Sequence, residues 1–137
     1  LVQIPAVRVA DMPKGEPLPE AIYHIRADKA EFKKSKEKGN PMASVQFTVF
    51  GPDEAEEFHG RKLFENLMLS GEGMFRTRQL LEAAGHDEDF VLEDTDQLVG
   101  LEVQAVVQVE KERKNPDNPT EVYPARNKIA RFQSLGA

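Results

Sequence analysis

SGEGMFRTRQLLEAAGH, residues 70–86, is where the hydrophobic period of this sequence changes. Met74, Phe75, Arg78 and Leu81 recur at helical spacing. Ser70 stands where a side chain caps a first turn, and Gly85 where a chain leaves the last one. The spacing predicts a short helix of about three turns. On both sides of it the period is two, the mark of half-buried strands.

Upstream, three strands are expected. Over 21–32, Tyr23, Ile25 and Ala27 share one phase, but Ala30 and Phe32 then take it over. A bulge near Asp28 accounts for that switch. Gly39-Asn40-Pro41 marks a turn. In MASVQFTVF (42–50), Ala43, Val45, Phe47 and Val49 alternate with Ser44, Gln46 and Thr48. GPDEAEEFHG is an acidic loop. RKLFENLMLS (61–70) sets Leu63, Leu67 and Leu69 against Lys62, Phe64, Asn66 and Met68. Downstream, LVGLEVQAVVQVEKE (98–112) alternates strictly from Leu101 to Val109, RKNPDNPT reads as a turn-rich loop, and EVYPARNKIARFQ (121–133) as a fifth strand. Three strands, a helix and two strands is the element order of the OB-fold, a five-stranded Greek-key barrel. A mainly β chain of this class is expected, with an extended, proline-interrupted arm at 1–19 and the OB-fold domain at 20–137.

The 137 residues suit one core. At 39 % apolar and 31 % charged, the composition is that of a globular chain. There is no cysteine, hence no disulfide or thiolate metal site. No apolar run reaches bilayer length. His24, His59 and His86 show no ligand-like spacing, SGEGMF lacks the lysine and Ser/Thr of a phosphate-cradling loop, and the acidic run 87–96 lacks the pattern of a calcium loop. The expectation is a protein with no catalytic residues, no metal and no cofactor.

The net charge of −6 speaks against bulk attraction to duplex DNA, but the charges are segregated. Residues 26–42 hold six basic and three acidic side chains, a local +3, whereas 82–96 hold seven acidic and no basic ones. Single-strand binders pair a basic groove with rings on which bases stack. In OB-folds the groove lies on strands two and three, between the loops joining strands 1–2 and 4–5. Lys33, Lys34, Lys36 and Lys38 fall in the first of those loops, and Lys111, Arg113 and Lys114 open the second. Phe64 shares the polar phase of its strand with Lys62 and Asn66. Gln46 and Thr48 share the outer phase of theirs, and Tyr123 and Arg126 lie on the last strand. The bland alternatives are a lysine turn that is merely solvated and a Phe64 that packs under the helix with Met68. A second reading makes the acidic loops a dock for a basic partner.

AEFKKSKEKGNPMASVQFTV (30–49), HGRKLFENLMLS (59–70), LLEAAG (80–85) and RNKIARF (126–132) together resemble a family of small phage-encoded proteins catalogued as a domain of unknown function. Its members are regarded as single-stranded DNA-binding proteins with an OB-fold. The likeness runs from Tyr23 to Phe132, carried most specifically by Lys33-Lys34-Ser35, Gly39-Asn40-Pro41-Met42, Gly60-Arg61-Lys62 and Phe64-Glu65-Asn66. It implies single-stranded DNA as partner, with phage replication or recombination proteins beside it. It also implies a place in the bacterial cytoplasm. On the single-strand-binding reading, Arg61 and Lys62 join Lys33, Lys34, Lys36 and Lys38 in neutralising phosphates, and Phe64 stacks a base. A homodimer through an open strand edge is compatible with it. The acidic loop 53–57 and the proline-rich arm depart from the pattern. Such binders often carry an acidic tail that recruits replication proteins; after FQSLGA that feature is either absent or lies beyond these residues.

Overall fold

The apolar phase of residues 42–50 becomes the second strand of an antiparallel sheet whose inner side is the core. The structure, a computed structural model, describes residues 2–6, 8–9, 16–36, 38–111, 113–123 and 125–136; at 113, 115, 119 and 121–123 it describes the backbone only. The elements are β1 (Ala21–Lys34), β2 (Pro41–Gly51), β3 (Lys62–Met68), α1 (Met74–Ala83), β4 (Glu102–Glu110), β5 (Arg113–Asn115), β6 (Asn118–Tyr123) and β7 (Arg126–Gln133). Short 3₁₀ turns stand at Asp53–Phe58 and Thr95–Leu98. Five strands pair in the order β3-β2-β1-β4-β7, and β5 and β6 form a separate ribbon.

The bulge expected near Asp28 is present. Ala27 pairs with Phe47 and Lys29 with Gln46, so Asp28 is the extra residue and every side chain beyond it changes face. Ile25, Ala27, Val45, Phe47, Val49, Leu63 and Leu67 are buried on the inner side. Val103, Ala105, Val107, Ile129 and Phe132 join them, and Phe47 meets Phe132 at 5.7 Å between ring centroids. Burying each large side chain of this kind contributes roughly 1.5–3 kcal/mol. The core also takes in Leu18, within the span read as an arm. Its N–H donates to Asn127 Oδ1 at 2.7 Å, and Asn127 Nδ2 donates back to its carbonyl at 2.9 Å.

α1 ends as expected. Gly85, at φ +100°, donates to the Glu82 carbonyl and His86 to that of Leu81, the paired bonds of a Schellman stop. Its start is different. Ser70 does not cap it; the cap position is Gly73, which offers no side chain. Gly71, at φ +73°, opens a turn bonded from Met74 N–H to its carbonyl, and that turn delays the helix by a few residues.

The sheet does not close into a barrel. β3 and β7 are its two edges, and α1 lies against both. Thr77 Oγ1 donates to the Met68 carbonyl of β3 at 2.7 Å. Gln79 Oε1 accepts from Phe132 N–H of β7 at 2.8 Å, and Arg76 Nη2 donates to the Ile129 carbonyl. Helix side chains thus occupy edge groups that strand-to-strand closure would require. The span 113–120, expected as a loop, belongs largely to the β5–β6 ribbon. The expected fifth strand is divided between β6 and β7.

Candidate nucleic-acid interface

Three strands carry the outer face, and their register decides which side chains are neighbours. Lys62, Thr48 and Arg26 form one row across β3, β2 and β1; Phe64, Gln46 and Lys29 form the next; Asn66, Ser44 and Glu31 the third; Met68, Met42 and Lys33 the fourth. Adjacent strands lie about 4.8 Å apart, so each row is roughly 10 Å wide. Phe64 is 67 % exposed, a bare ring in the second row rather than a core residue under the helix. Gln46 is half-buried beside it.

Lys29 enters this row because the bulge turns it outward, as the phase switch after Asp28 implies. Phe50 also belongs to the face: a register shift between His24 and Ile25 leaves it opposite no single partner. Its ring sits 6.0 Å from that of His24 and 5.9 Å from the Arg26 guanidinium.

Asp28 is the acid at the centre of the face. It accepts from Thr48 Oγ1, lies 3.5 Å from Lys62 Nζ and 3.4 Å from Arg26 Nε, and is largely shielded. Lys33 has Glu31 at 3.9 Å, whereas Lys29 makes no ion pair among the described residues. Substituting Asp28→Asn keeps an acceptor for Thr48 while releasing Lys62 and Arg26. If phosphates follow this face, affinity for an oligo-dT strand rises about fivefold, the worth of one exposed charge contact of about 1 kcal/mol. Fluorescence anisotropy reads the change; unaltered or weaker binding places the phosphates elsewhere.

The sequence-predicted residues do not all meet. Lys33 shares the Phe64 face two rows away, roughly 13 Å along the strands. Lys34 lies on the opposite face, and Lys36 and Lys38 are exposed in a turn closed by Asn40 N–H to Ser35 Oγ at 2.9 Å. Arg61 is drawn away, with Nη2 donating to the Glu16 carbonyl at 2.6 Å. Lys111 follows the end of β4 that pairs with Ala21, so it lies at the other end of β1 from the lysine turn. Arg126 is engaged by Glu110 at 2.6 Å. The side chains of Arg113 and Tyr123 lie outside the described residues. Lys62, Phe64, Asn66, Gln46 and Lys33 are therefore the predicted residues that share one face, and Arg26, Lys29 and Phe50 are added to them.

The histidines have ordinary partners: His59 Nε2 bonds the Pro52 carbonyl at 3.0 Å, and His86 stacks on Phe90 at 3.8 Å. Among the described residues no cluster of His, Cys, Asp or Glu could hold a metal ion, and no helix is long and apolar enough to cross a membrane.

A search of curated proteins finds no match. Residues 6–134, nearly the whole chain, match a family model described as "Protein of unknown function (DUF669)"; the chain belongs to that family.

Proposed function

We propose that this protein binds single-stranded DNA with little sequence preference across the outer face of β1, β2 and β3, serving phage DNA replication, recombination or repair without catalysing a reaction. The observation that carries the reading is Phe64: a ring 67 % exposed, flanked in its own row by Gln46 and Lys29 and bordered by Lys62 and Asn66 along its strand. A bare ring bordered by cations offers a flat apolar surface on which a base can stack while its phosphates meet the neighbouring charges. Every base has such a surface, so recognition by stacking tolerates any sequence. The strand order supports the same reading. β3-β2-β1-β4-β7 with a helix after β3 is the order of an OB-fold parted between its third and last strands, and the OB-fold binding face is the one on strands two and three.

Arg26, Lys29, Lys33 and Lys62 are the four cations of the face, and each phosphate they neutralise releases counterion. Four contacts at about 0.7 each give a slope of log K on log salt near −3, a loss of roughly 50-fold between 50 and 200 mM salt. Anisotropy titration with labelled oligo-dT at those two concentrations measures it. No binding at the lower salt, or binding indifferent to salt, overturns the proposal.

A further inference from the structure

The opposite face of the β1–β2 hairpin holds a cleft of about 1110 Å³, roofed by α1 and walled by residues 86–98. Its floor is apolar: Ala43 and Leu98 are buried, and Leu69, Leu81 and Leu92 are partly so. Three large apolar side chains stand bare at its lips, Phe32 at 53 %, Phe75 at 67 % and Met74 at 43 % exposure. The rim is acidic: Glu82, Asp87, Glu88, Glu93 and Asp94 line it. The single basic lining residue, Arg78, is already held by Glu82 at 2.6 Å and Glu88 at 3.7 Å.

This wall is more than the solvated linker that its composition suggests. Leu98 is anchored in the core, His86 stacks on Phe90, and Asp94 with Gln97 forms a reciprocal capping box that holds the 3₁₀ turn. The backbone that carries these acids is thus held beside the apolar floor before any partner arrives, which lowers the entropy lost on binding.

We infer that this cleft docks a basic, amphipathic peptide segment of a partner protein, its large apolar side chains between Phe32, Phe75 and Leu81 and its arginines or lysines along the rim. Charge decides the occupant. A nucleic acid or an anionic surface is repelled by five carboxylates. The chain's own residues 1–17 carry two cations and two carboxylates, so they offer the rim no complement. A basic segment supplies the missing sign, and apolar anchors cover the floor in the helix-in-groove manner. Because Lys29 and Lys33 face away from the side that Phe32 occupies, the docked segment leaves the proposed DNA face open.

The test uses the full chain and four fluorescein-labelled peptides. The first carries leucine and phenylalanine at i, i+4 and i+7 with arginines on its other face. The second has glutamates in place of the arginines, the third keeps the arginines but has serine anchors, and the fourth is residues 1–17. The first peptide is expected to bind. Phe75→Ser, and separately Glu88→Gln with Glu93→Gln, should each weaken it about tenfold without changing oligo-dT affinity by more than about twofold. The second and third peptides should bind at least tenfold more weakly. Equal binding of the first peptide to wild type and variants, equal binding of the second or third, or stronger binding of residues 1–17, overturns the inference. Since DNA affinity is read on the same variants, its failure and that of the DNA-binding proposal remain separate outcomes.

Discussion

If the outer face binds DNA as proposed, Phe64→Ala is expected to weaken oligo-dT binding by about five- to 150-fold, with the melting temperature nearly unchanged. The first figure follows from the roughly 1–3 kcal/mol that one stacked base contributes. The second follows from exposure: the ring is 67 % open, and surface substitutions of that kind usually stay within about 0.5 kcal/mol. Phe64→Trp should retain or improve binding, since a larger π-face stacks as well. Phe75→Ala is the informative control. It removes an equally exposed ring from the acidic cleft on the other side of the β1–β2 hairpin, and should leave DNA affinity unchanged. If Phe75→Ala weakens binding and Phe64→Ala does not, the strand does not lie on the outer face. The two substitutions then exchange their meaning. Equal small losses would assign the affinity to phosphate contacts alone, and the salt slope would persist without a stacking contribution.

What could be read from the sequence divides along physical lines. Features set by a few neighbouring residues were legible. Gly85 ends α1 because only a residue tolerant of positive φ leaves a helix that way, and the phase switch after Asp28 located a bulge that the register reproduces. Phe64 was placed correctly in the polar phase, since alternation is a local property. Features set by two distant elements were not. Whether β3 meets β7 depends on what α1 puts between them, and no pattern within either strand records that. Arg61 has the sequence context of a phosphate ligand, yet its guanidinium finds the carbonyl of Glu16, 45 positions earlier. The two basic loops look like the borders of one groove, but the antiparallel pairing of β1 with β4 sets Lys111 at the far end of the sheet from Lys33. The β5–β6 ribbon escaped because Pro116 and Pro119 read as loop residues; a two-stranded ribbon tolerates proline on its unpaired edges.

Arg76→Met should be among the most destabilising single changes in the chain, because this side chain joins both edges of the open sheet. Its Nη2 lies 3.3 Å from Glu65 Oε2 on β3, and the same nitrogen donates to the Ile129 carbonyl on β7. The guanidinium also sits 5.9 Å from the centroid of Phe132. Its Nε is buried and has no hydrogen-bond partner among the described residues, so the contacts through Nη2 carry the cost of placing the charge there. Methionine fills comparable volume but leaves a shielded carboxylate and a strand carbonyl unpaired. Breaking a buried pair from one side costs roughly 3–5 kcal/mol. With about a quarter of the Arg76 side chain still exposed, the low end applies, a fall in melting temperature of about 10 °C. The pH dependence identifies the cause. Burial pushes the Glu65 carboxyl above its ordinary range, and Arg76 partly opposes that shift. The folded state therefore holds its proton to higher pH than the unfolded state does, and stability falls as pH rises through that interval. Removing Arg76 raises the carboxyl further, so the defect should be larger near neutral pH than in acid below the ordinary glutamate range, where Glu65 is protonated in both states. Adding Glu65→Gln to Arg76→Met should recover part of the loss at neutral pH and none in acid, measured by urea denaturation of the four members of the cycle. A defect that is the same at every pH would instead trace the loss to the Ile129 carbonyl and the Phe132 ring. The helix would then hold the two edges by hydrogen bonding and packing, with the ion pair incidental.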